Sequence, residues 1–164
     1  MPVLNRLRLL TTGLLLTAIQ TAGAQVQVGP QVSLGSDSGL GIGGRIVFPV
    51  RSVPSIIDGA FDANFFTGGG SAVDSWLDAN SNLRVRVPLA RDFTTRIGAG
   101  VNSTHISTKQ ETPGTRTATR FGLNLVASAE LPERRLAPFV ELRAVVGGSE
   151  QVVLTGGITL GKRR

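Results

Sequence analysis

The only histidine of the chain, His105, stands two residues before Ser107 in the run HIS. In an extended strand, side chains at i and i+2 share a face, so an imidazole would lie beside a hydroxyl. That pair is the beginning of an ester-cleaving centre, with His105 as general base and Ser107 as nucleophile. Such a centre needs a carboxylate to orient the ring. Glu111 follows nearby, but no spacing fixes it at the ring, and the facing positions Thr119, Phe121 and Leu123 hold no acid. The reading drawn from the residues is a polar pair without a catalytic role.

Three other patterns invite chemistry. Asp58 and Asp62 share a face and look like an acid–base dyad, yet Arg45, Arg84 and Arg86 on neighbouring segments would neutralise them. The run GLGIGG at 39–44 spells a dinucleotide turn, and GGITLGK at 156–162 spells most of a phosphate-binding loop. Both motifs require a helix to follow, so that the phosphate meets its N-terminus. RIVFPV follows the first, alternating and stopped by Pro49; Arg163 and Arg164 follow the second. Neither is expected to bind a nucleotide.

Composition narrows the classes further. With no Cys and one His, disulfides, thiolate chemistry and multi-histidine metal centres are excluded, and no cofactor is expected. The first 24 residues read as a signal peptide. Arg6 and Arg8 precede a short apolar run, Leu9 to Ile19, and Ala22-Gly23-Ala24 offers small residues for cleavage. The apolar run is too short for a membrane helix, which needs about 20 residues. Residues 25–164 then form a single domain. Its basic residues are scattered and nearly all Arg, without Tyr, so no nucleic-acid partner is expected.

The elements that would position these residues are strands. Period-two alternation recurs in runs of about ten residues, at about 25–35, 40–50, 56–66, 76–90, 93–107, 117–131, 138–147 and 150–161. Short turn-rich connections join them, which makes an antiparallel up-and-down meander. Parity sorts the charges onto one face: Arg45, Asp58, Asp62, Asp78, Arg84, Arg86, Arg96, Arg120, Glu130, Glu141 and Arg143. The other face is apolar throughout the strand bodies.

Two cylinders satisfy this sorting. A transmembrane barrel turns the apolar face to lipid, and a soluble exported barrel turns it inward around an apolar ligand. Long strands, a near balance of Arg and carboxylate, and glycines on the charged face (Gly41, Gly43, Gly98, Gly100, Gly122) favour the membrane version. Eight strands leave an interior just filled by side chains. The eleven charges then form a salt-bridged core, with an ion or proton path as the alternative.

With these features the chain resembles the small eight-stranded outer-membrane β-barrels of the OmpA/OmpX type, over essentially all of residues 25–164. The resemblance implies a bacterial outer-membrane address, lipid as the surrounding partner and both termini in the periplasm. It also implies a structural or surface-interaction role, as a monomer, toward an extracellular ligand that the sequence does not name. Two departures stand out. The chain ends in TLGKRR where the class ends in an aromatic residue, and Trp76 is its only Trp for the interfacial girdles. The His105/Ser107 pair also looks faintly like that of outer-membrane lipid A deacylases, which implies an esterase as a further alternative.

Overall fold

The structure, a computed structural model, describes residues 26–50, 56–67, 73–89, 92–109, 115–131 and 136–161. The expected signal peptide, Glu111 and several of the connecting loops lie outside them. Eight strands close into one antiparallel barrel, each paired with its sequence neighbours and β1 with β8. They are β1 (Gln27–Gly35), β2 (Gly39–Pro49), β3 (Ile57–Phe66), β4 (Val73–Val87), β5 (Thr94–Lys109), β6 (Thr115–Glu130), β7 (Leu136–Val146) and β8 (Gln151–Leu160). Every expected strand is present, with ends moved by up to three residues.

Register fixes the shape of the barrel. One row of paired residues runs from Val146 through Leu123, Val101, Ser81, Phe61, Ile46, Val28 and Leu160. It returns to β7 at Leu136, ten residues below its start. Eight strands with that stagger tilt about 40° from the axis and hold opposite backbones about 16 Å apart. The wall between Leu136 and Val146 is then about 25 Å tall, the height of the apolar band of a membrane barrel.

Alternation turns one face of each strand outward. Val32, Leu34, Ile42, Leu83, Val101, Leu123, Leu142 and Leu154 are all about half exposed or more. No Asp, Glu, Lys or Arg occurs among the outward strand residues whose side chains are described. A soluble barrel with an apolar interior would need the reverse arrangement. Phe48 stands near the lower border of the band, where β1 begins and β8 ends, and Phe65 and Phe121 stand near the upper one.

The upper rim is uneven. β1–β2 and β7–β8 close in tight turns, using positive φ at Gly39 (73°), Gly147 (75°) and Gly148 (67°), a backbone that side chains disfavour. β6 pairs with β7 only from Leu123 downward, so residues 115–122 rise beyond it. Together β4, β5 and β6 form a three-stranded wing above the rim.

Candidate functional site

The interior is polar, and its ions form one continuous chain in which the sign of charge alternates. At the lower end, Arg96 Nη1 donates to Glu130 Oε2 (2.7 Å), and Arg96 Nε reaches Asp58 Oδ2 (2.5 Å). Asp58 Oδ1 accepts from Arg84 Nε (2.7 Å), and Arg84 Nη1 lies 3.7 Å from Glu141 Oε2. At mid-height Arg45 Nη2 donates to both Glu141 Oε1 (2.6 Å) and Asp62 Oδ1 (2.7 Å). Arg143 Nη1 stands 3.5 Å from Asp62 Oδ1, and its Nη2 donates to Asp78 Oδ2 (3.2 Å). Arg45 also lies over the Phe139 ring, 4.3 Å from its centroid, a cation–π contact strengthened by burial.

Packing explains the glycines. A Cβ on Gly98 would press on the Leu83 carbonyl oxygen at 2.3 Å and on Arg84 Cγ at 2.8 Å, and one on Gly100 on the Ser81 carbonyl oxygen at 2.0 Å and on Asn82 Oδ1 at 2.5 Å. Each of these glycines leaves space for the β4 backbone and for the side chain paired across from it, Arg84 opposite Gly98 and Asn82 opposite Gly100. Around the upper ions lies an amide layer. Asn102 donates to Asp78 and to Asn80 Oδ1 (2.9 Å), Asn124 donates to Asn80 and Asn82, and Gln31 donates to Asn64 (2.7 Å). Phe66, Trp76, Ile106 and Val153 then close the upper lumen as a buried apolar plug.

Nine of the eleven charges expected inside belong to this chain of ions: Arg45, Asp58, Asp62, Asp78, Arg84, Arg96, Glu130, Glu141 and Arg143. The other two are exposed at opposite ends. Arg86 donates to Thr94 Oγ1 (3.0 Å) below, and Arg120 donates to the Gly148 carbonyl (3.2 Å) above. Parity assigns their face correctly, but Arg120 sits on the part of β6 that overshoots the rim and so leaves the lumen. Trp76, the single Trp, does not serve an interfacial girdle: it is buried and faces inward with the same parity as Asp78.

His105 and Ser107 both face outward on the wing. His105 Nδ1 lies 3.0 Å from Thr119 Oγ1, directly across on β6. Ser107 is paired with Ser75 and Thr117. No described carboxylate joins the imidazole, so the described residues do not assemble a triad.

No family model and no curated protein matches this chain. Solved structures do share its fold. It is similar to Neisserial surface protein A, with 15% identity, TM-score 0.61, and coverage of 86% of this chain and 98% of that one. A major outer membrane protein from Thermus thermophilus gives 14% identity and TM-score 0.65, over 85% of this chain and all of that one. Ail, the attachment invasion locus protein of Yersinia pestis, was solved in complex with the heparin analogue sucrose octasulfate. It gives 10% identity and TM-score 0.51, over 84% and 96% of the two chains. The fold of this chain is that of the small eight-stranded outer-membrane barrels.

Proposed function

We propose that this chain is exported through a signal peptide at residues 1–24 and spans the bacterial outer membrane as a sealed, non-enzymatic barrel. Its role is structural or exercised through surface contacts at the upper rim. The observation that carries this reading is the unbroken alternation of Arg and carboxylate from Glu130 to Asp78 inside a wall that is apolar outside. Each charge has a neighbour of opposite sign, so the lumen is a core and not a conduit. Exposed Arg120 on the wing supports a polyanionic extracellular partner, a chemistry that Ail's sulfated ligand exemplifies in this fold.

The test is gel mobility of the protein extracted from the outer-membrane fraction, boiled and unboiled, together with planar-bilayer conductance. Heat-shifted mobility, a need for detergent and electrical silence are expected. Recovery in plain buffer without a heat shift would overturn the membrane reading, and steady conductance would overturn the sealed lumen. An esterase reading predicts loss of an ester-cleaving activity in His105→Ala and Ser107→Ala; the reading proposed here predicts no such activity to lose.

A further inference from the structure

The ion chain reaches six of the eight strands. Its members stand on β2 to β7, and Arg45 on β2 meets Glu141 on β7 directly across the lumen. β1 and β8, which close the barrel, carry no charged residue. Their seam rests on backbone pairing and neutral contacts. Two of these, Ser33 Oγ with Thr155 Oγ1 (2.9 Å) and Ser38 Oγ with Gln151 Oε1 (2.9 Å), lie in its upper half. Lower down, regular pairing ends at Gln31 with Gly157 and returns only at Val28 with Leu160, near the strand ends.

Pro30 stands in that gap. The backbone groups of a strand face its two neighbours alternately. Ser36 N–H donates to the Val152 carbonyl (2.9 Å), so the even-numbered residues of β1 turn their groups to β8. Pro30 is among them, opposite Ile158, and has no N–H to donate. On the other flank of β8, Ile158 is paired with Pro138, whose carbonyl accepts from Leu131 N–H (3.1 Å) and whose groups thus face β6. The Ile158 carbonyl therefore faces Pro30, short of its ladder donor, about 5 Å inside the lower border of the apolar band. A carbonyl deprived of its donor at that depth weakens the pairing. We propose that the β1–β8 seam is a built-in opening: below Gln31 the two end strands part locally while the ion chain holds β2 to β7 closed. Gln27 and Thr159, which point inward, then meet the surroundings of the lower end, and the ions and the apolar plug above stay in place.

Amide hydrogen exchange tests this, followed by NMR on the full mature chain folded in detergent micelles. It reads the barrel itself, whatever becomes of the membrane reading. The amides of Ile158 and Leu160 should exchange about tenfold faster than those of Ile46 and Phe61, which stand on the same cross-strand row as Val28 and Leu160. Pro30→Ala gives the Ile158 carbonyl a donor and should slow the seam amides by about fivefold, the worth of one hydrogen bond. Pro138→Ala, whose new N–H would face Leu131, should leave them unchanged. Arg45→Leu, which weakens the whole barrel, should speed exchange at Ile46 and Phe61 but not at the seam, because a local opening does not pass through global unfolding. Seam amides no faster than Ile46 and Phe61, or faster in step with them in Arg45→Leu, would overturn the opening. A Pro30→Ala variant that exchanges like the parent would overturn it as well.

Discussion

Replacing Arg45 by Leu tests whether the lumen is a desolvated ionic core. Arg45 and its two carboxylates are almost wholly buried, with side-chain exposure of 1% for Arg45 and 0% for Asp62 and Glu141. Arg45→Leu strands both carboxylates. Asp62 keeps Arg143 at 3.5 Å and Glu141 keeps Arg84 at 3.7 Å, neither at good hydrogen-bond length. Breaking a buried pair costs about 3–5 kcal/mol, and the remaining arginines hold this case near the lower figure. A loss of about 3 kcal/mol is roughly a 150-fold fall in the folding constant. With an m-value of about 2 kcal/mol/M, the urea midpoint falls by about 1.5 M. Unfolding of the reconstituted protein, followed by gel mobility and Trp76 fluorescence, measures it. Removing the pair together, as Arg45→Leu with Glu141→Leu, preserves the charge balance and should recover about 2 kcal/mol of the summed single losses. A single mutant within 0.5 kcal/mol of the parent, or strictly additive losses, would refute the reasoning.

Three further outcomes follow from the same geometry. Gly98→Val, which drives a side chain into the Leu83 carbonyl and Arg84, should cost at least about 2 kcal/mol, while Gly156→Ala, with nothing within 4 Å of its new Cβ, should stay within about 0.5 kcal/mol in the same unfolding assay. Leu142→Arg, at mid-height on the outer wall, should cost about 2–4 kcal/mol in lipid vesicles; an unchanged stability there would contradict a lipid-facing wall. Phe66→Ala should cost about 3–5 kcal/mol and shift the emission of Trp76, the single tryptophan, to longer wavelength as water reaches the plug.

Much of the barrel was legible in the sequence because a strand has only two faces. Asp58 and Asp62, or Arg84 and Arg86, cannot change sides without moving every neighbour, so parity alone assigns them. Parity carries no height, however. Arg86 and Arg120 share a face with Arg84 and Arg143, but only the stagger between strands reveals that they pass the ends of the lumen. The same gap concealed the plug. Phe66, Trp76, Ile106 and Val153 come from four strands, and their meeting at one level depends on register, which no local pattern records. The amide layer was hidden for another reason: Asn carries no charge, so Asn80, Asn102 and Asn124 left no mark in a reading built on charge sorting.

The alternating ions also constrain how the barrel is assembled. Arg45 on β2 meets Glu141 on β7 across 96 residues of chain, and Arg143 meets Asp78 across 65. Neither contact exists in any single hairpin. Arg45 keeps Asp62 on the adjacent strand β3, but an incomplete sheet laid in hydrocarbon would leave Glu141, Arg143 and Asp78 without these partners, at several kcal/mol each. Hairpins therefore cannot enter lipid one after another. The charged face must stay in water until β1 finds β8, so that the seam closes and the wall enters the bilayer in one concerted passage. Loop-closure entropy makes such long-range pairing slow. A catalyst of insertion would act on this chain by sheltering its inner face during that search.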